Sequence, residues 1–233
     1  MDREETLQGL WQLRDRDLAL VVSLLAAQAI DLRKSPESAL RWCTERAEAG
    51  DPKAQHALAK LLWAGLAGTR NDELAFQWCS QASDQGYLPA IVMLAGLYSS
   101  GIGVASNMSK SLELLRSAVT SGSTDAMSLL GALYAEGFGV ERDLAQAVLL
   151  WRPAAELGHP DAQYNLGSEL TESADIDEAS EGVKWLRAAA KQGHYSAHYA
   201  IARLYEKGSA GLPKDEGLAE HHRVLAAKLE TGG

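Results

Sequence analysis

The chain repeats itself every 36 residues, and that period limits its fold more than any other feature. Gly50, Gly86, Gly122, Gly158 and Gly193 are spaced by 36, 36, 36 and 35 residues. Ala54, Ala90, Ala126, Ala162 and Ala197 keep the same steps, and Leu58, Leu94, Leu130, Leu166 and Ile201 follow four residues after each. Trp42, Trp78, Leu114, Leu150 and Trp185 precede the glycines by eight. A fixed period of this length marks an array of supersecondary units, each burying its apolar face on its neighbours.

Each unit reads as two helices. Apolar positions recur at helical spacing, as in Ala126, Leu130, Leu133 and Tyr134. The first helix starts near the repeat alanine and ends at Gly65, Gly101, Gly137 or Gly208, where the lack of a Cβ permits a left-handed cap. The second starts at Ser35, Asn71, Asn107 or Asp143, whose short side chains can accept an orphan N–H of the first turn. Asp143 with Gln146 also matches the pattern of a capping box. The expected fold is therefore all-α, an α/α superhelical solenoid of antiparallel helix pairs with a period of about 36 residues. It forms a single domain over 1–233. Residues 1–50 hold N-terminal capping helices, repeats follow at 51–86, 87–122, 123–158 and 159–193, a C-terminal repeat occupies 194–229, and 230–233 is a tail.

The Gly-x-Gly pairs at Gly101 and Gly103 and at Gly137 and Gly139 invite comparison with a phosphate cradle. A cradle needs a preceding strand and a single place in the chain. These corners follow helices and recur, so they join helices.

Composition narrows function. With 31 acidic against 22 basic residues the formal charge is -9, and no cluster of lysine or arginine supplies the stripe that nucleic acid demands. The apolar stretch 18–29 is too short to cross a bilayer. Its preceding segment is long and net acidic, unlike the start of a signal peptide, and Leu18, Val22 and Leu25 fall one period before Ala54, Leu58 and Leu61. It therefore reads as a helix of the capping pair, and the chain as cytoplasmic. Cys43 and Cys79 sit 36 apart on successive second helices, too far for a disulfide, and are expected to be free buried thiols. His194 with His198, and His221 with His222, raise the thought of a metal. His159 and His194 occupy the same corner position, however, and read as solvent-facing, with no Cys or carboxylate cluster to complete a site. No metal, cofactor or catalytic residue is expected.

The stretch "LGALYAEGFGVERDLAQAVLLWRPAAELGHPDA" at 130–162 resembles the Sel-one-like repeat (SLR), a relative of the tetratricopeptide repeat, and the resemblance extends over about 36–228. It implies a non-catalytic protein–protein interaction module, most concretely a bacterial adaptor or an immunity-type protein, with a toxin or effector as partner. By analogy with tetratricopeptide repeats, a concave face would be lined by His56, Lys60, Trp63, Val92, Ser99, Ser128, Ala135, Tyr164, Ser168, Thr171, Tyr199, Arg203 and Glu206. Trp63, Tyr164, Tyr199 and Arg203 are of the types that dominate binding hot spots. The other reading is a cell-wall-related small-molecule sensor or enzyme of the penicillin-binding kind, but the paired cysteines of such members are missing here and no Ser-x-x-Lys lies on a plausible active-site frame. A monomer is expected, with a homodimer through 216–229 as the alternative. Two units depart from the pattern. The fourth carries Ser173 and Asp175 in place of the corner glycines, and the fifth is longer and carries Pro213. Both corners are candidate contact points, against neutral variation of a surface loop.

Overall fold

The computed structural model describes residues 36–65 and 70–230. The expected helix at 18–29, the cap at Ser35 and most of the tail lie outside the described residues. Among the described residues there are eleven helices and no strand, and each helix packs on the next in chain order within two compact units that divide between Ser123 and Thr124. The fold class is an all-α solenoid of helix pairs.

In the first unit the helices are α1 (Pro36–Glu48), α2 (Pro52–Ala64), α3 (Asp72–Asp84), α4 (Leu88–Ser100) and α5 (Met108–Thr120). Ala39, Cys43 and Ala47 form a stripe of α1 against Ala54, Ala57, Leu58 and Leu61 of α2 and Ala75 of α3. Cys79 and Ala82 of α3 carry the core on to Ala90, Leu94 and Leu97 of α4. Small residues at these contacts let helix axes approach to about 8–10 Å. Both cysteines are buried and neither is in a disulfide. Cys79 Sγ donates to the Ala90 carbonyl at 3.2 Å, and burial pushes the Cys43 thiol up to about 12.

The second unit holds α6 (Thr124–Glu136), α7 (Leu144–Glu156), α8 (Pro160–Thr171), α9 (Ile176–Lys191), α10 (Tyr195–Lys207) and α11 (Glu216–Glu230). Trp151, Ala154 and Ala155 of α7 pack on Leu166 and Leu170 of α8. Leu186 and Ala190 of α9 pack on Ile201 and Leu204 of α10 and Ala219 of α11. The first helices of successive pairs also touch directly, α8 meeting α6 on one side and α10 on the other.

The corners explain why the helices stop and start where they do. Asn71, Asn107 and Asp143 each accept a first-turn N–H of the following helix, from Leu74, Lys110 and Gln146. The capping box at Asp143 is half formed, because the Asp143 N–H donates to the Tyr134 carbonyl rather than to the Gln146 side chain. The fourth corner has its own chemistry. Its turn ends at Glu172 in a right-handed conformation, and Asp175 becomes the cap of α9, accepting from Asp177 and Glu178. The Ser173 hydroxyl donates to Glu178 at 2.7 Å. Gly167 and Gly182 lie against each other just above it, where a Cβ on Gly167 would meet the Gly182 carbonyl oxygen at 2.9 Å, so α8 and α9 approach backbone to backbone.

A candidate protein-binding groove

Within residues 124–230 a groove of about 490 Å³ runs between α8 and α10. Tyr164, Ser168 and Thr171 line it from α8, at steps of four and three residues. Ser196, Tyr199, Ala200, Arg203 and Lys207 line it from α10, again one face of a helix, with Leu204 beneath. Glu172 and Ser209 stand at the end where both helices terminate. The Ser168 Oγ is buried and has no hydrogen-bond partner among the described residues.

One wall is fixed by a helix cap. His194 precedes α10 and is only 7% exposed. Its Nδ1 accepts the Ala197 N–H at 3.3 Å, its Nε2 lies 3.1 Å from Asp161 Oδ1, and its ring stacks on Tyr164 at 4.6 Å. The Nδ1 contact requires a lone pair there, which places the proton on Nε2, facing the carboxylate. The other wall is tied to α11, where the Tyr199 hydroxyl donates to Glu230 at 3.2 Å. Partial burial and that carboxylate both raise the Tyr199 pKa.

Arg152 is paired with Glu181 at 2.5 Å, and Arg223 contacts Glu206, Glu216 and Glu220. Arg203 and Lys207 are exposed on one face of α10, and neither pairs with a carboxylate among the described residues.

Five of the residues expected on a partner-facing surface therefore meet in one groove: Tyr164, Ser168, Thr171, Tyr199 and Arg203. Others do not. His56, Lys60 and Val92 are buried, as is Ser128, whose carbonyl accepts the Trp151 indole N–H at 3.0 Å. The reason is plain in α2, which is buried along nine consecutive residues, 54–62, and offers no open stripe. His56 meets Tyr87 edge-on at 5.4 Å, and both its ring nitrogens are buried without a hydrogen-bond partner among the described residues. Burial, then the neighbouring Lys60, hold its pKa well below the ordinary histidine range. Trp63 is half-buried and packs against the cores on both sides of it. The half-buried Ser99 turns its hydroxyl back onto the Gly96 carbonyl, the Ala135 carbonyl accepts from Arg142, and the Glu206 carboxylate is bound by Arg223. These eight positions are buried, packed or bonded within the chain and do not line the groove.

The corner histidines also need correction. His159 and His194 do not face solvent; each accepts the N–H of the third residue on and contacts an aspartate of the preceding first helix, Asp125 in one case and Asp161 in the other. Asp125 and Asp161 are 36 apart, so the latch recurs with the repeat. That regularity was a signal the sequence offered. His198 is buried, its Nδ1 3.0 Å from that of His222. Among the described residues no group of three His, Cys, Asp or Glu side chains is placed to hold a metal ion, and no helix is long and apolar enough to cross a membrane.

The Sel1 repeat model matches residues 52–87, 88–123, 124–159, 160–194 and 196–229. The chain belongs to the Sel1 repeat family. Comparison with curated proteins found no match. Among solved structures, this Sel1 repeat protein is similar to a protective antigen with an SLR fold from uropathogenic Escherichia coli, at 31% identity and a TM-score of 0.66, covering 84% of this chain and 42% of that one. It is also similar to a Sel1 repeat protein from Oxalobacter formigenes, at 28% identity and a TM-score of 0.71, covering 84% of this chain and 56% of that one. The chain thus spans about half the length of these two. An immunity protein from Pseudomonas aeruginosa shares the fold at 19% identity and a TM-score of 0.58, over 83% of this chain and 74% of that one. Sel1 repeats are generally protein-interaction modules, and this Sel1 repeat protein has their architecture.

Proposed function

We propose that this protein is a non-catalytic interaction module, an adaptor or immunity-type protein of bacterial origin, that holds a segment of a protein partner in the α8–α10 groove. The observation that carries the reading is the groove itself. Two tyrosines, and an arginine that forms no ion pair among the described residues, line one open trough, with Tyr164 braced from behind by the core and by His194. Tyrosine and arginine are the side chains that most often supply the energy of protein interfaces. The fold shared with an immunity protein supports the immunity-type reading by analogy of architecture. The buried cysteines Cys43 and Cys79, neither in a disulfide, fit a reducing compartment such as the cytoplasm.

The test is co-purification of the tagged protein from its source cell, in parallel with the double variant Tyr199→Ala, Arg203→Ala. A partner retained stoichiometrically by the wild type and lost by the folded variant supports the reading. Identical partner profiles for both proteins would move binding away from this groove.

A further inference from the structure

We infer that the α8–α10 groove takes an acidic, extended segment of its partner, with carboxylates seated on Arg203 and Lys207. This inference rests on the reading of the groove as the binding surface, and adds the chemistry of the occupant.

Charge is the first ground. The chain carries an excess of carboxylates, 31 against 22 cations, and Arg203 and Lys207, which like Lys53, Lys191 and Lys214 form no ion pair among the described residues, are the two cations that line the groove. They lie four residues apart on one helix face, an arrangement of like charges that costs helix stability. The negative end of the α10 dipole accounts for a cation at Lys207, in the last turn. It does not account for Arg203 a turn earlier. Glu206, three residues on from Arg203 and well placed to neutralise it, is instead bound by Arg223 of α11, which also contacts Glu216 and Glu220. The intramolecular counter-charge is thus held away from the groove. Glu172 stands at the same end of the groove as Lys207, where both helices terminate, and forms no ion pair with either cation among the described residues.

Shape is the second. From Ser196 to Lys207 the wall runs about 16 Å at 1.5 Å per residue. An extended chain covers that length in about five residues. Tyr164 and Tyr199 line it with aromatic rings, and Ser168 and Thr171 add small polar side chains to the α8 wall, the Thr171 hydroxyl being engaged by the Ser168 carbonyl. A guanidinium can hold a carboxylate through two parallel hydrogen bonds, so Arg203 sets the register and Lys207 adds a point charge beyond it.

The test uses degenerate octapeptide pools that are acidic, uncharged or basic, captured on the immobilised full chain and quantified by mass spectrometry at low and high salt. The acidic pool is expected to be enriched about tenfold over the uncharged one, the size of one charge-assisted bond, and to lose that advantage in high salt. Charge reversal by Arg203→Glu with Lys207→Glu, its fold checked by circular dichroism and thermal melting, should turn the preference to the basic pool. Equal enrichment of acidic and uncharged peptides, lost in Tyr199→Ala, would overturn the inference and leave the groove as the binding surface. No enrichment of any pool by either protein would overturn both.

Discussion

Tyr164 and His194 lie 4.6 Å apart with their rings 19° from parallel, and this contact makes one residue both a helix cap and a wall support. The His194 ring that supports Tyr164 also caps the N-terminus of α10. Stability and the shape of the groove are therefore linked at His194.

His194→Ala removes the acceptor for the Ala197 N–H, the Asp161 contact and the stacking surface for Tyr164. A destabilisation of about 1–2 kcal/mol is expected, the range for losing a cap with an accessory contact. His194→Asn keeps a short capping acceptor and gives up the stack, so it should recover most of the stability and little of the groove's order. Urea denaturation of the three proteins measures the first effect. The second is read from the NMR line widths of the Tyr164 ring. Equal stability of His194→Ala and wild type would remove the latch from the account.

The His198–His222 contact predicts the response to acid. Both pKa values are lowered, chiefly by burial; the charge of His198, then of His221 and Arg187, lowers His222 further, and His221 and His194 lower His198, which only the backbone at Ala190 acts to raise. Tyr205 stacks on His222 at 6.1 Å and takes a hydrogen bond from Arg187. The unfolded chain therefore binds protons near pH 6.5 that the folded chain refuses. Stability is at its full value above that pH and falls as the pH drops below it. His222→Gln should flatten the slope of melting temperature between pH 7 and about 5. A slope unchanged by the substitution would place the acid response elsewhere, with buried His56 as the next group to test.

Tyr199 separates two contributions within the groove. Its ring face is offered to the trough while its hydroxyl is engaged by Glu230. Tyr199→Ala should weaken partner binding by about 2 kcal/mol, the size of an interface hot spot, and Tyr199→Phe by less than about 0.5 kcal/mol. Isothermal titration with the partner decides this. Equal losses would show that the hydroxyl, and not the ring, makes the contact.

The helix pairs could be read from sequence because their signals are local. Gly101 and Gly208 end helices in the left-handed conformation, and Asn71, Asn107 and Asp143 begin them. What could not be read depends on residues brought together by stacking. The Gln192 side chain donates to Gln163 at 2.8 Å, and Gln85 to Gln55 at 2.7 Å, across 29 and 30 residues. No local pattern announces such a pair. The groove was legible at Tyr164, Ser168, Thr171, Tyr199 and Arg203 because those positions share one register of the repeat. The same register at His56 and Val92 gave buried residues, since exposure depends on what each helix packs against. Ser173 and Asp175 looked like losses from a glycine corner. They are the cap and the side-chain bonds of a different one.

Two glycines inside first helices should respond to alanine in opposite directions. Gly96 lies within α4, and a Cβ built there meets nothing within 4 Å. Alanine at this position lowers the entropy of the unfolded chain and fills open space, so Gly96→Ala should stabilise the protein by about 0.5–1 kcal/mol. Gly167 lies within α8, where a Cβ would come to 2.9 Å from the Gly182 carbonyl oxygen, the Leu186 backbone nitrogen and the Leu186 Cγ. Two of those atoms are backbone and cannot rotate away. Gly167→Ala must push α9 off α8, at a cost of about 1–3 kcal/mol for an overpacked contact, which exceeds the gain in helix propensity. Denaturant midpoints of the two variants against wild type check both signs in one experiment. A stabilising Gly167→Ala would mean that α8 and α9 do not approach backbone to backbone, and that the fourth pair stacks like its neighbours.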